Sequence, residues 1–184
     1  NHIAFNTPDI ERDTKKFLEN GCDLVFNATV NGKTVENYLD TRKHGDVMIS
    51  LRPPADEWEI AWKENNKSHP LVKNWKFFGV GVVVNDCELA CEYYSNLGFS
   101  VEKEIHDSKD LGVKFCHLKV GSMMFELIQP TTDNSVYKEY FNLRGEGIAD
   151  MSFIVEELES ETRSLVSRGA EILVSTNEFA LINT

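Results

Sequence analysis

Positive charge is scarce in this chain: 19 Lys and Arg stand against 30 Asp and Glu, a formal charge of −11 over 184 residues. Such a field repels phosphate backbones and anionic headgroups, which argues against nucleic acid and membrane surfaces as partners. Long apolar runs are missing too. The longest, around Phe77 to Val84, falls far short of the roughly 20 residues that a membrane-spanning helix requires. The first residues carry no basic n-region, no apolar h-region and no initiator Met, so no secretory signal is read there and a trimmed or partial chain is expected. Cysteines occur only at 22, 87, 91 and 116, without a Cys-x-x-Cys pair or zinc-type spacing, and read as reduced thiols of a cytoplasmic protein. Nor is there a Gly-x-Gly-x-x-Gly, a Walker loop, a His-Glu-x-x-His or a Gly-x-Ser-x-Gly elbow; Gly145-x-Gly147 alone is a weak phosphate signal. What remains, at 41% hydrophobic and 27% charged residues, is a folded chain long enough to bury a core without disulfides.

The chain repeats itself. Asn1 to Ile10, Phe78 to Cys87 and Ala149 to Leu158 superpose without gaps, each an apolar stretch running into an acidic residue at Asp9, Asp86 or Glu157. Twelve residues beyond each stands a glycine, Gly21, Gly98 or Gly169. Between them the apolar residues take helical spacing, as in Ile10, Phe17 and Leu18, or Leu89, Tyr93, Tyr94 and Leu97. An acidic start and a glycine stop suit the helix dipole and a left-handed cap. Strand-like stretches follow: Asp23 to Val30, Thr34 to Asp40 and Val47 to Leu51, then Ser100 to Ile105, Val113 to Val120 and Ser122 to Ile128. The unit is β-α-β-β-β. The third copy runs through Ala170 to Val174 and Phe179 to Asn183 and lacks its last strand. This divides the chain into a half module over 1–54, a linker over 55–76 with a short helix bearing Trp58 and Trp62, and a module over 77–184 with halves 77–130 and 149–184. The expected class is α+β, with tandem βαβββ repeats forming cupped mixed sheets and helices on one face.

At these repeats the sequence resembles the vicinal oxygen chelate superfamily, which includes glyoxalase I, methylmalonyl-CoA epimerase, ring-cleaving dioxygenases and antibiotic-binding proteins. The resemblance lies in Cys91-Glu92-Tyr93-Tyr94-Ser95-Asn96-Leu97-Gly98-Phe99, in Met124-Phe125-Glu126-Leu127-Ile128-Gln129-Pro130 and in Arg144-Gly145-Glu146-Gly147-Ile148. His2-Ile3-Ala4-Phe5 and Ser167-Arg168-Gly169-Ala170 look like parts of second halves. It implies two βαβββ halves cupped around a divalent metal (Mg, Mn, Fe, Co, Ni or Zn), each half supplying one ligand from its first strand and one from its fourth. The first-strand positions fall on His2, Gly79 and Asp150, the fourth-strand positions on Ser50 and Glu126. Gly79 offers no side chain and Ser50 is a poor ligand, so the candidate metal ligands are Glu126, Asp150 and His2, with Glu126 also the candidate catalytic carboxylate. Met124, Phe125, Phe153 and His117 are the candidate ligand-contacting residues. His44, His69 and His106 read as surface residues.

Three halves leave one unpaired. Either an upstream half belongs to the protein outside this sequence, or the spare half pairs with another copy in a homodimer. Two functions follow from the resemblance. One is a glyoxalase- or epimerase-like metal-dependent lyase or isomerase acting on a small carbonyl or acyl thioester. The other is a non-catalytic module of the same fold that binds a small molecule and has a degenerate metal site.

Overall fold

The structure is a computed structural model that describes residues 1–54, 60–61, 64 and 74–183. Residues 60, 61 and 64 of the linker are helical, while Trp58, Trp62 and His69 fall outside the described residues. The first repeat builds β1 (His2–Asn6), α1 (Ile10–Glu19), β2 (Asp23–Val30), β3 (Lys33–Asp40) and β4 (Met48–Arg52). They form a sheet in the order β1-β4-β3-β2, with β1 parallel to β4. The second repeat builds β5 (Lys76–Val83), α2 (Cys87–Asn96), β6 (Ser100–Ser108), β7 (Val113–Val120) and β8 (Met123–Pro130). There follow α3 (Val136–Arg144), β9 (Gly147–Ile154), α4 (Leu158–Val166), β10 (Glu171–Ser175) and β11 (Ala180–Asn183). The second sheet runs β6-β7-β8-β5-β9, so the first strand of the third repeat lies antiparallel beside the first strand of the second. Strands β10 and β11 pair only with each other among the described residues. The mixed α+β fold expected from the repeat is the fold observed.

The punctuation read from the sequence acts through backbone hydrogen bonds. Asp9 and Asp86 cap their helices by accepting from Arg12 N at 2.9 Å and Leu89 N at 2.8 Å. Glu157 occupies the same position without a side-chain bond, as expected of a longer carboxylate that is a poor cap. After each helix the glycine has positive φ, 86° at Gly21, 99° at Gly98 and 102° at Gly169. The next residue then donates back to the last turn: Cys22 N to Phe17 O, Phe99 N to Tyr94 O and Ala170 N to Leu165 O. All three repeats thus close their helices with the same two-bond cap.

Alternation sorts the strands into two faces. In the second sheet Val80, Val82, Cys116, Leu118, Phe125 and Leu127 share one buried face with α2. The inward face of the first sheet, with Leu39, Ile49 and Leu51, belongs to the same core. The two sheets are joined through it: Phe5 meets Phe99 edge-on at 6.4 Å, and the Tyr94 hydroxyl donates to His44 O at 2.7 Å. Glu146 fastens the seam from outside, accepting from Gly45 N at 3.1 Å and Asn85 N at 2.7 Å. The opposite face of the second sheet is free of α2 and opens into a cleft. Helix α3, absent from the sequence-based expectation, covers one end of it by packing Tyr137, Tyr140 and Phe141 against Val83, Val113 and Ile128.

Candidate functional site

The cleft has a volume of about 1500 Å³ and lies between the second sheet, α3, α4 and the β10–β11 hairpin. Its floor is one transverse row of residues. Strand pairing aligns His117 on β7 with Glu126 on β8, Glu126 with Gly81 on β5, and Gly81 with Asp150 on β9. Residues in cross-strand register share a face, so these four positions bring two carboxylates and an imidazole toward the cleft with a glycine between the carboxylates. That glycine is required by space. A Cβ at 81 would stand 2.5 Å from both carboxylate oxygens of Asp150, so the Asp150 side chain occupies the volume that any other residue would fill.

Glu126 is 21% exposed at its side chain and has no lysine or arginine ion-pair partner among the described residues. Burial raises its pKa to about 7, and the nearby Asp150 carboxylate adds to the rise. Asp150 is also raised by burial, against which the Tyr137 hydroxyl and the Gly81 N–H pull by donating to it. The Tyr137 O–H reaches Asp150 Oδ2 at 2.8 Å. His117 Nε2 lies 3.5 Å from Glu126 Oε1. Burial first, then the charges of His106 and Lys103, push the imidazole down to about 4, so at neutral pH it is a neutral neighbour and no countercharge. The row therefore holds two carboxyl groups whose pKa values are both raised by burial, and no lysine or arginine ion-pair partner for either among the described residues.

The candidate residues are brought together only in part. Glu126, Asp150, His117 and Phe153 all line the cleft. Phe125 does not: it is fully buried on the other face, against Tyr94 at 4.8 Å and Phe99 at 5.3 Å. The correction has a simple cause, since Phe125 neighbours Glu126 in sequence and must point the opposite way. Met124 shares the face of Glu126 but sits beyond the residues that line the cleft, with its carbonyl against Gly79. His2 lies on β1 of the other sheet, beside the Tyr38 ring at 5.6 Å, and does not join Glu126 and Asp150. Ser50 is engaged with Glu36, to which it donates at 2.9 Å. His106 is a second correction: β6 continues to Ser108, which places the ring on the cleft wall against Phe115 and His117. Sequence reasoning missed Tyr137. Its helix was signalled by Ser135, which caps it, and by Gly145 just past its end.

The donor set does not fit a chelated metal ion. Gly79 contributes nothing, and His2 is on the other sheet. Among the described residues no three His, Cys, Asp or Glu side chains converge to hold a cation, whereas metal sites with open positions use about three protein ligands. Trp75 closes one wall, donating to Glu161 Oε2 at 3.1 Å and packing on Phe153 at 5.4 Å. No helix among the described residues is long and apolar enough to cross a membrane.

Among solved structures, a hypothetical protein from Bacillus halodurans is 22% identical, with a TM-score of 0.52 over 60% of this chain and 86% of its own. Methylmalonyl-CoA epimerase from Mycobacterium tuberculosis is 27% identical, with a TM-score of 0.50 over 59% of this chain and 72% of the epimerase. A variant of 4-hydroxymandelate synthase from Streptomyces coelicolor, 16% identical, aligns with 97% of this chain at a TM-score of 0.67, and the chain spans 55% of that protein. The last is a likeness of fold that extends over both sheets. No curated protein sequence matches the chain significantly. Residues 79–180, which carry the whole His117–Glu126–Gly81–Asp150 row, match the family described as the Glyoxalase/Bleomycin resistance protein/Dioxygenase superfamily, and the chain belongs to it.

Proposed function

We propose that this chain binds a small, partly apolar organic molecule in the cleft over β5, β7, β8 and β9, as a member of the superfamily that does not chelate a metal there. The observation that carries the reading is the row itself: a glycine stands between the two carboxylates, and the family's first-strand ligand position on β5 is also a glycine. The cleft keeps the concave, aromatic-walled form of a small-molecule site. Equilibrium dialysis against Mn²⁺ and Zn²⁺ followed by metal analysis tests it. Substoichiometric metal is expected, and one tightly held ion per chain overturns the reading.

One observation favours a second reading. A carboxyl of pKa about 7 at a cleft floor is poised as a general base near neutral pH. Together with the likeness to methylmalonyl-CoA epimerase, this supports removal of a proton beside the carbonyl of a small carbonyl compound or acyl thioester, with Glu126 receiving it and returning it. Incubation with methylmalonyl-CoA in deuterated water reads the step directly as deuterium wash-in. Glu126→Gln should abolish the exchange, and a parent protein that exchanges nothing rejects this reading for that substrate.

A further inference from the structure

We propose that the unpaired edges of β9 and β11 form a seat for one extended peptide strand, running parallel to β9 and antiparallel to β11. The inference lies beyond the binding reading above and does not depend on it. Both complete repeats place their fourth strand in this way. In the first, β4 lies between β1 and β3, parallel to one and antiparallel to the other. In the second, β8 lies between β5 and β7 with the same two senses. The third repeat supplies the same flanks. Strand β9 pairs with β5 along one edge and β11 pairs with β10 along one edge, and among the described residues neither has a partner on its other edge. Asp150 to Ile154 of β9 and Ala180 to Asn183 of β11 line the same cleft, so the two edges border a common space. A strand edge is a row of N–H and C=O groups that a neighbouring strand satisfies. An occupant here gains a ladder on each side, whereas a strand added to the outer edge of β2 or β6 would gain one.

The apolar residues beside these edges set the chemistry of the occupant. Met151 and Phe153 hold the third and fifth places of the ten-residue frame, as Val80 and Val82 do in the second repeat. There Phe125 of the fourth strand stands opposite Val80 and Leu127 opposite Val82, and the two valines are 5% and 0% exposed. Met151 and Phe153 are 66% and 40% exposed. The first repeat has the same register, with Ile3 opposite Ile49 and Phe5 opposite Leu51. Both fourth strands thus carry apolar side chains at alternate positions with a polar one between, Ser50 or Glu126. The seat fits a strand of that pattern, as in Met48–Arg52: two apolar residues beside Met151 and Phe153, and between them a polar one beside Ser152 that turns to the opposite face.

The test appends a copy of residues 42–52, the turn and fourth strand of the first repeat, after Thr184, which matches Thr41 in the alignment of the repeats. Hydrogen exchange read by mass spectrometry compares this chain with the parent. Exchange in β9 and β11 is expected to slow about tenfold, the factor that corresponds to one net backbone hydrogen bond, while β2 and β6 stay unchanged. An appended copy with aspartate in place of its two residues matching Ile49 and Leu51 should give no protection. Met151→Asp, at an exposed position, should leave the circular dichroism and thermal unfolding of the parent unaltered and abolish the protection. A free peptide with the sequence of residues 46–53, added to the parent, gives the same readout should the longer chain fail to fold. Unchanged exchange in β9 and β11 overturns the proposal, as does protection that survives either set of aspartate substitutions or that falls on β2 or β6 instead. Small-molecule binding in the cleft is decided by the measurements given above and is not touched by these outcomes.

Discussion

Replacing Glu126 by glutamine should make the protein more stable, and only above a definite pH. In the folded chain this carboxyl titrates near 7, against an ordinary value of 4.5. Below pH 4.5 it is protonated whether the chain is folded or not, and it costs nothing. Between those values the unfolded chain ionises while the folded one holds its proton, so stability drains away as pH rises, and above about 7 the loss is complete. At about 1.4 kcal/mol per pH unit the interval corresponds to roughly 3 kcal/mol. Little discount for solvent is needed, since the side chain is only 21% exposed. Glutamine keeps the shape and cannot ionise, so the variant and the parent should match near pH 4.5 and diverge to about 3 kcal/mol near pH 8, equivalent to about 6–12 °C in Tm for a chain of this size. Urea denaturation of both proteins across this range measures the gap. A gap that stays constant with pH would show that Glu126 is already paired or solvated, and would refute the account of the cleft floor.

Other outcomes follow from the same geometry. Tyr137→Phe removes the hydroxyl that donates to Asp150 at 2.8 Å and should cost about 1–3 kcal/mol near neutral pH; denaturation unchanged from the parent would mean that water replaces it freely. Gly81→Ala puts a methyl where the Asp150 carboxylate lies, so it should be destabilising alone and much less so beside Asp150→Gly, a coupling that a double-mutant cycle reads directly. Phe125→Ala, which empties a fully buried position, is expected to cost about 3–5 kcal/mol. Phe153→Ala, at 40% exposure, should cost well under half as much in the same assay while weakening ligand binding.

The parts of the fold that were legible in the sequence are those governed by neighbours along the chain. Asp9 and Asp86 act at once on the amides three residues on, and Gly21, Gly98 and Gly169 act where a left-handed turn is needed, so their spacing announces each helix without knowledge of what it packs on. That Glu126 and Asp150 stand on strands of one sheet was legible through position in the repeat. The face of Phe125 was not, because Met124 to Ile128 is apolar at four of five positions and hides its own alternation. Tyr137 was invisible for another reason. Its partner lies 13 residues away on a different element, and nothing in local spacing states that α3 folds back across the sheet. His106 shows the ordinary weakness at element ends, where a strand that ran three residues longer than expected turned a surface histidine into a cleft wall.

The shared core between the two sheets bears on how the chain can be divided. Repetition draws a line after the first βαβββ unit, and the apolar residues ignore it: Leu39, Ile49 and Leu51 on one side and Val82, Tyr94 and Leu118 on the other are fully or almost fully withdrawn from water by one another's presence. The sheet that floors the cleft is backed by α2 and shares that core with the first repeat. Severing the chain along the repeat would bare apolar surface on both sides of the cut, where the sequence suggests a half module beside a separate module. What is copied in this polypeptide is therefore smaller than what must stand together, and the silent first repeat is the foundation on which the cleft is built.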